Sequence, residues 1–356
     1  MRVVPLIAAV LFAQAARASS VRDEISVGGA QSTAQNPRAG NVSNLFGVAV
    51  DLGEDWTVSG TAQVTVEEST PAPAGSGFGD RGGTVTAFSL GADWDATDNW
   101  TLGVTFDASP ASTITSDARF RVPVSPSNTD TSLVDALIAA ASSNVSAEFL
   151  VTYDTAGFSD LEWSLTGAVA FSRFETTQRI EGARRTNGTT LSNSELRDLC
   201  TGAPSCSGYL TAINGLSDEL RSAHFSLSGI ATIQTDTDVG LGADYYAYFD
   251  DPANVGIFSL ATVGRFGAGA PIAPLRFLVR PEVTHRIGPL SLRLWVQAGE
   301  YVANVGQGTA SIGTKVQYRF TRAFRMWIGA TGQRDVGSTG EVSRSGWVSL
   351  GAAYRF

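Results

Sequence analysis

Along most of this 356-residue chain, apolar and small polar residues alternate one for one, and each alternating run ends in a turn. Trp56, Val58, Ala62, Val64 and Val66 share one parity, and Thr57, Ser59, Thr61, Gln63 and Thr65 the other. Trp163, Leu165, Val169 and Phe171 oppose Ser164, Thr166, Ala168 and Ala170 in the same way. Leu241, Ala243, Tyr245 and Phe249 stand against Asp244, Tyr246 and Tyr248. Ile312, Thr314, Val316, Tyr318 and Phe320 stand against Lys315, Gln317 and Arg319. Successive side chains of a strand point to opposite faces, so this period predicts half-buried β-strands and an all-β chain.

The first residues break the pattern. Arg2 precedes an apolar run from Val3 to Ala13, and Ala16-Arg17-Ala18 stands before Ser19. This is the layout of a secretory signal peptide, and the run is too short for the roughly 20 residues of a spanning helix. Residues 1–18 are therefore read as the signal peptide and 19–356 as one β-barrel domain. No later stretch is long and apolar enough to form a spanning helix. The formal charge of −9 excludes a dedicated nucleic-acid binder, which carries a basic footprint.

Three features favour a membrane barrel over a soluble sandwich. Aromatic residues gather where strands meet short turns: Trp56, Trp94, Trp100, Tyr153, Trp163, Phe320 and Phe324. Such a belt suits the membrane–water interface. Connections alternate short (53–55, 95–99, 155–160, 235–237, 287–289, 321–322) and long (68–83, 108–145, 175–222, 250–273), as periplasmic turns and outer loops do. The final segment, Trp347 to Phe356, resembles the C-terminal strand of bacterial outer-membrane proteins. That resemblance implies recognition by the barrel-assembly machinery through Phe356, and a setting among outer-membrane lipids and lipopolysaccharide. The expected fold is a closed antiparallel transmembrane β-barrel of about 14 strands, 12 or 16 being the alternatives. The strands are expected near 24–31, 44–52, 56–67, 84–94, 99–107, 146–154, 161–174, 223–234, 238–249, 274–286, 290–301, 308–320, 323–334 and 345–356. Ile257 to Phe266 is assigned to an outer loop. No strand reads as conspicuously polar on its lipid face, which favours a monomer.

Charge is unevenly spread. From Leu275 onward the chain has eleven basic residues and four acidic ones. Parity sends Arg276, Arg280, Arg293, Lys315, Arg319, Arg325 and Arg355 to the face opposite the large apolar residues. The acids expected on that face are Asp51, Glu67, Asp93, Asp107, Glu148, Glu162 and Asp244. A basic wall across from an acidic one sets up a transverse field that biases which solutes pass. The leading reading is an outer-membrane channel or transporter for small solutes with an Arg-lined lumen. A non-conducting structural barrel of an envelope complex is an alternative.

The loops carry three further signals. Cys200 and Cys206 are expected to form a disulfide in an oxidising compartment. Ser192 and Glu195 form a capping box ahead of Leu196 and Leu199, and a second helical piece is expected through Leu210, Ile213, Leu216 and Leu220. Asp130 or Thr131 is expected to cap a helix bearing Leu133, Val134, Leu137 and Ile138. With fourteen strands and helices in its long third and fourth loops, the chain resembles the outer-membrane transporters of long-chain fatty acids and hydrocarbons. The resemblance implies import of a hydrophobic compound through the outer loops. The chain has no Asn-Pro-Ala-Gly hatch motif of that family; Asn36-Pro37-Arg38-Ala39 is its nearest approach.

Catalysis is not expected. His224 and Ser226 share a strand face, but a His–Ser pair needs an orienting third group, and none is fixed by the sequence. His285 stands near a short turn. Asp250-Asp251 falls short of a cation site. No metal or other cofactor is expected.

Overall fold

The computed structural model describes residues 18–32, 39–69, 82–126, 130–155, 161–206, 209–215, 217–233, 235–252, 275–302, 306–337 and 342–356. The expected signal peptide lies almost wholly outside the described residues, as do Asn36-Pro37-Arg38 and the Ile257–Phe266 segment.

The first seven strands are β1 (Ala18–Ser32), β2 (Ala39–Leu52), β3 (Trp56–Ser69), β4 (Gly82–Thr97), β5 (Trp100–Pro123), β6 (Thr131–Asp154) and β7 (Leu161–Arg185). A two-residue strand β8 (Thr190–Leu191) and two helices, α1 (Asn193–Cys200) and α2 (Leu210–Asn214), follow. The chain then returns as β9 (Ser217–Ile233), β10 (Thr237–Tyr248), β11 (Leu275–Ile287), β12 (Leu290–Tyr301), β13 (Gly306–Arg319), β14 (Phe324–Gly337) and β15 (Val342–Arg355). Each strand of the wall pairs antiparallel with its neighbours, β6 pairs with β7, and β1 pairs with β15. With β8 standing outside the ring, this closes a barrel of fourteen strands, as expected. Closure leaves no edge, which is what a strand protein needs where lipid offers no hydrogen bonds.

The alternation sorts the two faces. Leu90, Phe106, Phe149, Leu227, Leu241, Ile312 and Leu350 are exposed on the outside. Trp56 stacks on Trp94 at 5.9 Å, and Tyr153 touches Trp100 and Trp163 at 4.7 and 5.6 Å, all beside the short turns. Phe320 meets Tyr318 and Phe324 there, and Tyr354 meets Phe356. An apolar exterior edged by aromatic rings is the build of an outer-membrane β-barrel.

Two short turns use glycine where a side chain would be strained, Gly53 at φ 82° and Gly288 at φ 58°.

The expected helix over 130–143 is not formed. Those residues are the outer half of β6, paired with β5 on one side and β7 on the other. Leu133, Val134, Leu137 and Ile138 follow a helical stripe, but Val134, Ala136 and Ile138 also alternate as a strand does, and ladders on both edges override local propensity. Strands β5, β6 and β7 have 24, 24 and 25 residues. Crossing the membrane takes roughly 9–11, so their outer halves rise clear of it as a three-stranded wall. The expected loop 108–145 is thereby mostly sheet, and the expected loop 175–222 begins and ends in strand. Among the described residues the helices lie in the segment after β7, and Leu220, expected in the second of them, lies in β9.

Candidate functional site

The side chains on the inner face of the barrel are ordered by charge around the ring. Asp107, Glu148 and Asp244 come from β5, β6 and β10, and Glu282 of β11 and Glu24 of β1 stand among the bases. Bases come from β11 to β14: Arg280, Arg293, Lys315, Arg319 and Arg325. Each has the parity opposite to the exposed apolar residues of its own strand. Arg276 departs from this order. A register shift between Leu275 and Phe277 breaks the alternation, so Leu275 and Leu278 are both buried. Arg276 at the shift is exposed and 3.9 Å from Glu300. The side chain of Glu67 lies outside the described residues.

Most of these charges are engaged. Glu282 of β11 accepts from Arg293 at 2.5 Å and lies 3.9 Å from Arg280. Glu282 crosses Gly240, where a Cβ would come within 2.8 Å of its Cγ. Lys315 places its Nζ 4.3 Å from the centre of the Trp327 ring, and Arg22 places its guanidinium 5.3 Å from the same ring. Arg22 also donates to Glu24 at 2.5 Å. Arg293 lies 5.6 Å from the centre of the Trp295 ring. These are cation–π distances. Both indoles lie flat because the strand beside each offers glycine: a Cβ on Gly313 would stand 2.1 Å from Trp295, and one on Gly351 2.3 Å from Trp327. The wall from β11 to β1 is therefore a run of aromatic faces flanked by guanidinium and ammonium groups.

The acidic side is bonded too. Asp244 lies 3.0 Å from Nε2 of His224, and His224 stacks on Tyr246 with ring centres 4.4 Å apart. Asp107 accepts from Ser146 at 3.2 Å. Near the short-turn end, Asp238 accepts from Thr232 at 2.9 Å and forms an ion pair with Arg286. Asp51 accepts from Thr57 at 3.0 Å and lies 3.7 Å from Arg355. Sequence reasoning named Asp244 as an inner-face acid but missed it as the partner of His224. The signal is the strand register, which sets His224 beside Tyr246 and so one step from Asp244. Ser226 bonds Asp244 as well. Serine and histidine thus both address the carboxylate. Among the described residues no group of three or more His, Cys, Asp or Glu could hold a metal ion.

The outer mouth is capped from one side. Phe120, Val134, Ala136, Ile138 and Ile180 occupy the inner face of the raised β5–β7 wall, and Leu196, Leu199, Ala212 and Ile213 of α1 and α2 pack on them. Cys200 and Cys206 form the expected disulfide, with their Cα atoms 5.6 Å apart, and both are buried in this core. Ser192 and Glu195 make the predicted capping box. The Ser192 backbone and hydroxyl hold the Glu195 carboxyl below its ordinary value. Beside the cap, Arg221 donates to both oxygens of Asp250 and pulls its pKa down to about 2. Phe120 stacks on Tyr209 at 4.1 Å. The buried apolar residues of the cap helices thus pack on the wall.

No protein-family model matches the chain, and no curated protein matches it. Solved structures do. The chain is similar to a structure described as the CymD monoaromatic hydrocarbon channel, at 9% identity and a TM-score of 0.56 over 96% of this chain and 90% of that one. It is similar to the Ralstonia pickettii toluene transporter TbuX at 8% identity and a TM-score of 0.55, over 95% and 89% of the two chains. It is similar to a Pseudomonas aeruginosa FadL homologue at 11% identity and a TM-score of 0.54, over 96% and 90%. At such identities what is shared is the fold, and the chain has the fold of these outer-membrane barrels.

Proposed function

We propose that this protein sits in the outer membrane as a channel or importer for a small, largely apolar solute with an aromatic or otherwise flat body. One observation carries the reading. Trp327 lies between Lys315 and Arg22, and Arg293 is shared between Glu282 and the ring of Trp295. Cations spent on carboxylates and ring faces offer little attraction to a free anion, while the indoles offer planar apolar surface. The hydrocarbon channel and the toluene transporter named above share the fold, which agrees with such a solute. No chemistry is performed on it. Lipid and lipopolysaccharide surround the apolar exterior, and the assembly machinery takes up β15 through Phe356, which follows it.

The second reading is a charge-selective channel for small polar solutes. The segregation of Asp107, Glu148 and Asp244 from Arg280, Arg293, Lys315, Arg319 and Arg325 favours it. The two readings separate in one pair of measurements on the purified protein. Uptake of a labelled monoaromatic hydrocarbon into proteoliposomes, with little ionic conductance in planar bilayers, supports the first. A stable ohmic step with anion bias and no hydrocarbon uptake supports the second and removes the first.

A further inference from the structure

Among the described residues, the outer surface holds a pair of side chains that its apolar surroundings do not account for. Asp23 of β1 and Asn44 of β2 are both exposed on the outside of the barrel, and Asn44 Nδ2 donates to Asp23 Oδ1 at 2.8 Å. Their register fixes the face: Asp23 is opposite Phe46, and Asn44 is opposite Ile25. Exposed apolar residues bracket the pair along the strands, with Ile25, Val27 and Val42 on one side and Leu52 on the other. It therefore stands inside the apolar band and not at its edge. Ionisable groups at membrane depth are costly and mark contacts that repay them. Beside the pair, across β12 to β15 and β1, the exterior has a hollow of about 630 Å³. Ala330 and Gly332 lie on its floor, and Val27, Leu294, Ile312 and Val348 stand around it.

We propose that this face is the contact between two copies of the chain, joined about a two-fold axis through the Asp23–Asn44 pair. A carboxamide has two N–H donors and an oxygen acceptor, and a carboxylate has two acceptor oxygens. The bond between Asp23 and Asn44 uses one donor and one acceptor. Donor and acceptor stand side by side, so the patch is complementary to itself turned through 180°. Each Asn44 gives its second N–H to the Asp23 of the other copy. An acyl chain offers neither group.

The test is disulfide capture in intact outer membranes. Cys200 and Cys206 are already joined, so a cysteine introduced at Ile25 reports alone. I25C is expected to give a reducible dimer of this chain, while L227C on β9, across the ring, gives at least tenfold less. Combining I25C with D23L and N44L is expected to remove most of that dimer. Leucines are compatible with a lipid-facing site, and heat-modifiable migration confirms that the barrel still folds. If I25C is captured no better than L227C, or only with a protein of another mass, or equally well in the D23L/N44L background, the two-fold contact is refuted. None of these outcomes depends on whether the protein carries a hydrocarbon, an ion or nothing.

Discussion

The indole of Trp327 on β14 lies across Gly351 on β15, so closely that a methyl group on Gly351 would stand 2.3 Å from the ring. Trp295 and Gly313 repeat the relationship between β12 and β13. Overpacking of this kind typically costs about 1–3 kcal/mol. Gly351→Ala and Gly313→Ala are each expected to lower the urea midpoint of the refolded barrel accordingly. Gly332→Ala, where nothing lies within 4 Å, is expected to leave it unchanged. Equal midpoints for all three variants would remove the packing role assigned to the two glycines.

Trp327 also bears on transport. With Trp327→Ala the inner wall loses a planar face and frees Lys315 and Arg22 from it. Proteoliposome uptake of a monoaromatic hydrocarbon is expected to fall roughly tenfold, the scale of one lost aromatic contact. Because Arg280 already faces Glu282, Arg280→Ala is expected to change the anion-to-cation permeability ratio by less than about twofold. A larger change in that ratio with unchanged uptake favours the charge-selective channel.

The outer cap has a core of its own, and Leu196 is fully buried in it. Leu196→Ala is expected to cost the cap about 2–5 kcal/mol. The expected readout is faster proteolysis within 186–216, while heat-modifiable migration of the barrel stays the same. Reduction of Cys200–Cys206 after mild unfolding is expected to act in the same direction, by about 2 kcal/mol from loop closure.

The Arg221–Asp250 contact has a defined pH response. The Asp250 pKa is about 2 in the folded protein, against about 3.9 for an unperturbed aspartate. Since the folded value is the lower one, its contribution is fully present above about pH 4 and is lost as pH falls through 2. A carboxyl titration followed by NMR is expected to place the Asp250 midpoint near 2. In Arg221→Gln it is expected to return toward the ordinary value. A wild-type midpoint near 3.9 would show that the contact does not persist in solution.

Much of this barrel is legible in a single sequence because its period is two throughout and its short turns are rich in aromatic residues. All fourteen wall strands lie where the alternation puts them, and the capping box at Ser192 is read from four residues. What escapes depends on neighbours distant in sequence. The outer half of β6 satisfies a helical stripe and a strand alternation equally, and only pairing with β5 and β7 decides. Arg276 follows parity until the bulge at Leu275. The His224–Asp244 contact depends on the register of two strands. Asp23 and Asn44 fall at or just beyond the expected ends of the first two strands. Their shared face and their contact emerge only once β1 and β2 extend past them.

Strands β5, β6 and β7 run unbroken through two surroundings of opposite polarity. Within the membrane, β6 turns Val145 and Phe149 outward and Ser146 and Glu148 inward. Above it, the same even-numbered positions become Val134, Ala136 and Ile138, which shelter under the cap while Asp135 meets water. A slip of one residue would strand charge in lipid below and expose the sheltered core above at the same moment. Two solvents with contrary demands thus police one alignment, and the tall hairpins beside the mouth have a single way to thread.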